Sequence, residues 1–202
     1  MNGTEQRIRS AAIRLFAERG SADVTISDLA TEAGVARGTL YRNVGSIESL
    51  YERVRLDLAA AIHVQNVQVM DAAGITDPPA RLATGTRLLV RMAHDDPSFG
   101  RFMVRFGLAD ETLREILSGP PMQDLAKGIA AGRYAVPPGS ELSIASMLMG
   151  TVIGAMWMVL EGHQGWREAG AGAAELVLRS LGVAGDEAKE LVSVPLPEGT
   201  AG

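Results

Sequence analysis

The stretch Thr25–Tyr51, TISDLATEAGVARGTLYRNVGSIESLY, decides the fold. It spells two short helices joined by a tight turn, with a third helix starting at its end. Thr25 is an N-cap residue, and Asp28 three positions on completes a capping box ahead of the apolar Ile26, Leu29, Ala30 and Ala33. Gly34 then stops the helix, because it takes positive φ without steric penalty, and Val35 plugs the turn into the core. The second helix turns Leu40 and Val44 inward. Its other face carries Arg37, Gly38, Thr39, Tyr41, Arg42 and Asn43. That face is small, polar and basic, with no carboxylate between Ala33 and Ser46, as suits a helix lying in the major groove. The segment reads as a helix-turn-helix.

Upstream, Ile8, Ala11, Ala12, Leu15 and Phe16 follow the i, i+3, i+4, i+7, i+8 pattern of an amphipathic helix that Gly20 ends. These residues together resemble the TetR family of bacterial transcriptional regulators. That family shows Thr-hydrophobic-x-x-hydrophobic-Ala-x-x-Ala-Gly-Val, then Ser-basic-Gly-Thr-Leu-Tyr, an aromatic pair and Ser-Lys-Glu-x-Leu. Thr25–Val35 and Arg37–Tyr41 match nearly residue for residue, and Ser46, Glu48 and Leu50 match the start of the fourth helix. The likeness is specific over about the first quarter of the chain and architectural beyond it. It implies a DNA-binding set of Thr25, Ala36, Arg37, Gly38, Thr39, Tyr41, Arg42 and Asn43. Without the family pattern, Arg37 and Arg42 would read equally well as solvated helix charges and Tyr41 as a packing residue.

Four positions depart from the pattern. Ala36 stands where the family has a Ser or Thr that caps the recognition helix and touches a phosphate, and losing such a cap costs on the order of 1 kcal/mol. Val44 replaces an aromatic, Asn43 a His or Tyr, and Ile47 a Lys or Arg that grips the DNA backbone. Fewer phosphate anchors imply a shallower salt dependence, with the base-reading face kept.

The 202 residues are 47% hydrophobic, enough for a sizeable core, and contain no cysteine, which rules out disulfides, thiolate ligands and a cysteine nucleophile. The formal charge of −5 is unevenly spread. Residues 1–55 hold 8 arginines and 7 carboxylates, so they carry +1 and leave −6 for the rest. A nearly neutral head on an acidic body keeps the body off DNA and leaves the local basic face to bind. No basic and apolar leader opens the chain, and the expected location is the cytoplasm.

The remainder divides at Gly and Pro into helices: a long connector from Leu50 to about Met70, then 78–95, 97–107, 112–117, a resumption after Pro121 to Tyr134, 142–160 and 173–181. No alternating run marks a strand. The expected fold is all-α, with a helix-turn-helix head at 1–51, a ligand-binding and dimerisation domain at 52–190 and a flexible tail at 191–202. Residues 142–160, LSIASMLMGTVIGAMWMVL, run without a charge for a length that spans a bilayer at ~1.5 Å per residue. Their serines, threonine and glycines, and the flanking Glu141 and Glu161, favour a buried core helix and no membrane.

Nothing suggests an enzyme. His63, His94 and His163 have no motif partner, His94-Asp95-Asp96 reads as a solvated acidic loop, and neither a cofactor nor a metal is expected. Methionines and aromatics gather in one region, and the family likeness favours an apolar cavity over plain core. The expected lining is Met92, Phe99, Phe102, Met103, Phe106, Met149, Ile153 and Trp157, with Arg91, Arg105 or His94 as polar anchor. The family's homodimer implies an interface of Gly150, Gly154, Leu176, Val177 and Leu181, built from 142–160 and 173–181. The implied function is a repressor that binds double-stranded palindromic DNA and is released by a small hydrophobic ligand. The alternative is a small-molecule-binding or scaffolding protein whose head has lost operator recognition, with Ala36 and Ile47 as the reason to weigh it.

Overall fold

The computed structural model describes residues 3–20 and 23–197, and every regular element among them is an α-helix. The head consists of α1 (Gly3–Arg19), α2 (Ile26–Ala33) and α3 (Arg37–Val44). It closes where Ile8, Leu15 and Phe16 of α1 meet Leu29, Leu40 and Val44. From it runs α4 (Ile47–Ala72), one uninterrupted helix of 26 residues, about 39 Å long at 1.5 Å per residue. Ser46 starts it with a capping box to Ser49, each donating its backbone amide to the other's hydroxyl at 3.1 Å.

The body packs α5 (Pro78–Asp95), α9 (Glu141–Leu160) and α10 (Trp166–Ser180) against one another. Around them lie α6 (Pro97–Phe106), α7 (Asp110–Ser118), α8 (Pro120–Ala130) and α11 (Gly185–Ser193). Pro78 and Pro97 sit in the first turns of their helices, where the missing N–H has no helical partner to lose.

Head and body share one core. Phe99 and Phe102 of α6 join the head's apolar cluster, with Tyr51 of α4 as the hub. Its ring lies 5.4 Å from Phe16 edge-on and 5.1 Å from Phe106. A second core joins Leu125, Tyr134, Ile144, Leu148, Val177, Leu178 and Leu181 beneath α5.

Two elements differ from the sequence expectation. α10 begins at Trp166, seven residues before the expected start at 173. Gly170 and Gly172 disguise that turn as a loop, yet Gly170 is buried inside α10 where it faces α5. A Cβ there would sit 3.4 Å from the Arg87 Cα and 3.5 Å from the Val90 Cβ. Helix α11 was not expected at all, and it carries the chain into the stretch assigned to a tail. Ala188 is buried, Leu191 and Val192 pack on the second core, and the Val194 carbonyl accepts a 2.8 Å hydrogen bond from Arg87. Residues 198–202 of that tail lie outside the described residues, as does the side chain of His63.

Candidate nucleic-acid interface and interior cavity

The turn between α2 and α3 is held by short-range chemistry. The Thr25 hydroxyl accepts from the Asp28 amide at 3.2 Å, and the Asp28 carboxylate accepts from the Thr25 amide at 3.0 Å and its hydroxyl at 2.6 Å. Those bonds from Thr25, with Arg19 adding attraction at 3.5 Å, hold the Asp28 carboxyl below its ordinary range. Gly34 adopts φ 62°. The Val35 amide then returns to the Ala30 carbonyl at 3.0 Å and the Gly34 amide to that of Thr31 at 3.2 Å, the Schellman closure.

That turn fixes α3. Leu40 and Val44 face the head core, so Arg37, Gly38, Tyr41 and Arg42 are exposed, Tyr41 by 60%. Thr39 and Asn43 are half-buried, and Asn43 is already engaged: its amide donates to the Thr39 carbonyl at 2.6 Å. Thr25 is exposed, but its hydroxyl is committed to the cap. Ala36 is the N-cap of α3 and makes no side-chain cap. Ile47 is half-buried against the head core, so the residue replacing a backbone-gripping cation has become a packing residue.

In the body a cavity of about 140 Å³ opens between α4, α5, α6, α7, α8 and α9. Of the expected lining, Met103, Met149 and Ile153 are there. The rest are not. Phe99, Phe102 and Phe106 recur every three or four residues along α6 and form one stripe, which turns toward Phe16 and Tyr51 under the head. Met92 packs against the same cluster. Trp157 lies on the outer surface of α9, 45% exposed, its ring 5.3 Å from His163. The walls are instead aliphatic and methionine side chains such as Val67, Met70, Leu89, Val152 and Met156.

The polar groups of the cavity also differ from expectation. Arg91 pairs with Asp95 at 3.3 Å and reaches over Trp166, whose ring also faces the exposed His94. Arg105 clasps the end of α1. The lining takes its polarity from Asn66, Arg81, Thr86, Thr112, Asp124 and Tyr134. Arg81 donates to Asp124 at 2.7 Å, to Asp71 at 2.7 Å and to the Ile75 carbonyl at 2.9 Å, which ties the end of α4 to α8. Burial opposes its charge, but the two carboxylates outweigh that and raise its pKa. Burial raises the Tyr134 phenol, which stays protonated. Asn66 could have been noticed in the sequence as a polar residue beside Val67 and one turn before Met70.

Of the residues expected at a subunit interface, Gly150, Gly154 and Leu176 are exposed, Leu176 by 66%, alongside Leu142 and Trp157. Val177 and Leu181 are each only 1% exposed and belong to the protomer's own second core, so they are removed from that surface. Val177 is the next residue and Leu181 caps the end of α10 five residues on, but both pack with Ala174 and Leu178.

Two family patterns cover most of the chain. Residues 8–54 match the one described as bacterial regulatory proteins, tetR family, and residues 77–194 match the tetracyclin repressor-like C-terminal domain. The chain belongs to the TetR family. The crystal structure of RolR in complex with resorcinol is 30% identical with TM-score 0.72, covering 96% of this chain and 95% of that one. A TetR-family regulator from Shewanella sp. PV-4, 19% identical, shares the fold over 91% of this chain and all of that one, with TM-score 0.74. Among curated relatives, the uncharacterized HTH-type regulator Rv1255c of Mycobacterium tuberculosis is 31% identical over 97 residues, 46% of this chain and 45% of that protein. YerO of Bacillus subtilis is 42% identical over 50 residues, 25% of this chain and 17% of that protein. The chain thus spans less than half the length of the curated relatives it matches.

TetR membership makes this a transcriptional regulator with a DNA-binding head. Its α9 is long and apolar enough to cross a membrane by composition alone. Here it packs Ile144, Ala145, Leu148, Ala155 and Met156 against the body and leaves its glycines outward.

Proposed function

We propose that this TetR-family regulator is a ligand-responsive repressor. It binds a palindromic operator as a homodimer and is released when a small hydrophobic molecule enters the cavity. One observation carries the proposal: α4 belongs to both sites. Its first turns place Leu50, Tyr51 and Val54 in the core that orients the recognition helix, and its last turns place Asn66, Val67 and Met70 in the cavity wall. A ligand that prefers a different set of that helix changes the angle at which α3 is presented. It shifts the equilibrium by as much as its own preference between the two states.

On DNA, α3 enters the major groove with Arg37, Thr39, Tyr41 and Arg42 toward bases and phosphates. With no side chain capping α3, the amides of Arg37 and Gly38 are available to a phosphate, which the positive end of a helix favours. The homodimer is formed by the exposed faces of α9 and α10, and it sets the two α3 helices one DNA turn apart, ~34 Å. The complex of RolR with resorcinol supports a small ligand in the corresponding body.

The test is selection of random DNA fragments on the pure protein, followed by binding of the enriched sequence at several salt concentrations. A palindromic consensus whose complex dissociates on adding a small aromatic ligand is the expected result. Binding without sequence preference would overturn the repressor and leave a ligand-binding protein with a degenerate head.

A further inference from the structure

Asn66 and Thr86 in the cavity wall, like Tyr134 and Thr112 beside them, have no side-chain hydrogen-bond partner among the described residues. Asn66 on α4 is 7% exposed and Thr86 on α5 is 4% exposed. Both line the cavity. A buried amide left without a partner is costly, and nearly all such groups find one. Asn66 offers both a donor and an acceptor, and Thr86 a hydroxyl that does either. Most of the remaining wall is apolar, and Arg81 and Asp124 are engaged with each other, so what completes Asn66 and Thr86 is a molecule that fills the space and carries polar groups of its own.

Size and charge narrow its chemistry. At about 140 Å³ the space matches apolar cavities of ~150 Å³ that accept a single benzene-sized ring. The one cation on the lining among the described residues, Arg81, is already held by two carboxylates, Asp124 and Asp71. With the Tyr134 phenol kept neutral, the described residues of the wall offer no spare positive charge for an anion. A carboxylate ligand would have no cation of its own, because Arg81 and Lys127 already pair with Asp124.

We propose that the cavity takes a neutral monocyclic aromatic bearing one or two hydroxyl groups, held by hydrogen bonds to Asn66 and Thr86, which set its specificity. This rests on the ligand-responsive reading above and names the chemical class of that ligand. The ring fills the methionine and aliphatic walls, one hydroxyl donates to the Asn66 carbonyl oxygen, and the Thr86 hydroxyl engages the ligand's oxygen from α5.

Calorimetric titration of the full-length protein with resorcinol, phenol, toluene and benzoate tests this. Resorcinol and phenol should bind, toluene at least about tenfold more weakly, the scale of one or two net hydrogen bonds, and benzoate more weakly than phenol. Asn66→Leu and Thr86→Val, close in size to the originals, should each lose about tenfold in resorcinol affinity while toluene affinity holds or rises. A merely structural role would lower both ligands together. Thr86→Val also serves where Asn66→Leu alters packing. Resorcinol affinity within about twofold of wild type in both variants, benzoate binding more tightly than phenol, or no binding of any probe would overturn the proposal. Resorcinol bound as expected without release of selected DNA would leave the site standing and sink the repressor switch. Selective DNA binding by a protein that takes none of the probes would do the reverse.

Discussion

Arg105 closes the C-terminal end of α1: its guanidinium donates to the Glu18 carbonyl at 3.2 Å and the Ala17 carbonyl at 3.4 Å. A cation there satisfies carbonyls that the helix itself leaves open and sits at the negative end of its dipole. Arg105 extends from α6, whose Met103 reaches the cavity and whose Phe102 and Phe106 lie against Tyr51. The head is therefore fastened to the body at a charged clasp and an aromatic one, both on the same short helix.

Arg105→Met keeps the apolar stem and removes the clasp. It should lower stability by about 1 kcal/mol, which is a few degrees in melting temperature for a chain of this size. It should also weaken ligand-driven release of DNA, because one of two ties from α6 to the head is gone. Thermal melts and DNA release titrations check the two effects. An unchanged melting temperature would mean that α1 is held by the aromatic cluster alone.

Tyr41 and Arg37 face solvent from α3 and take no part in the head core. Tyr41→Ala or Arg37→Ala should cost ~1–3 kcal/mol of operator binding for each lost contact. Melting temperature and oligomeric state should stay near wild type. Operator affinity within about twofold of wild type in both variants would remove these residues from the site.

Ala36→Ser tests the missing cap. A hydroxyl at this position accepts from an amide in the first turn of α3 and should raise stability by ~1 kcal/mol in urea unfolding. No gain would indicate that solvent or the local geometry already satisfies those amides. Operator affinity measured alongside tells whether the cap competes with phosphate for the same donors.

The head was legible because its signals are local. The Thr25 cap, the Gly34 stop and the inward Leu40 and Val44 depend on neighbours within a few residues, and each is where the residue types require it. The cavity was not, because its walls come from six helices far apart in sequence. Along α6 the methionine and the three phenylalanines read as one apolar set. Which of them faces the cavity depends on the rotation of α6 against Tyr51, and no single segment encodes that angle. The same holds on α10, where Leu176, Val177 and Leu181 look alike as sequence but only Leu176 points outward. Gly170 misled in the opposite way: a helix breaker in isolation, it sits buried inside α10, packed against α5.

Gly128 of α8 lies under the Tyr134 ring, where an added Cβ would meet two ring carbons at 2.2 Å. Gly128→Ala must push that ring aside, and Tyr134 is both a cavity wall and a member of the second core. Stability should fall by ~1–3 kcal/mol, the usual range for overpacking, although alanine is the better helix former. Ligand affinity should change with it. A variant as stable as wild type would show that Tyr134 has room to rotate and that the cavity is wider in solution.

Gly150 and Gly154 lie four residues apart on the exposed side of α9, with nothing beyond their own helix turn within 4 Å of an added Cβ. Leu142 and Trp157 on the same helix and Leu176 on α10 are also exposed, an apolar area that the proposed homodimer covers. Because the surface around the glycines is open, Gly150→Arg should leave the protomer fold intact, with an unchanged helical spectrum. In an isologous interface the substitution enters twice, placing two like charges in an apolar seam, and each unpaired buried charge costs several kcal/mol. We expect this variant to elute as a monomer in sizing chromatography. It should lose operator binding with its head untouched, because two half-sites are no longer held at a fixed spacing. A Gly150→Arg protein that remains a DNA-competent dimer would place the interface elsewhere and leave this glycine face free in solution.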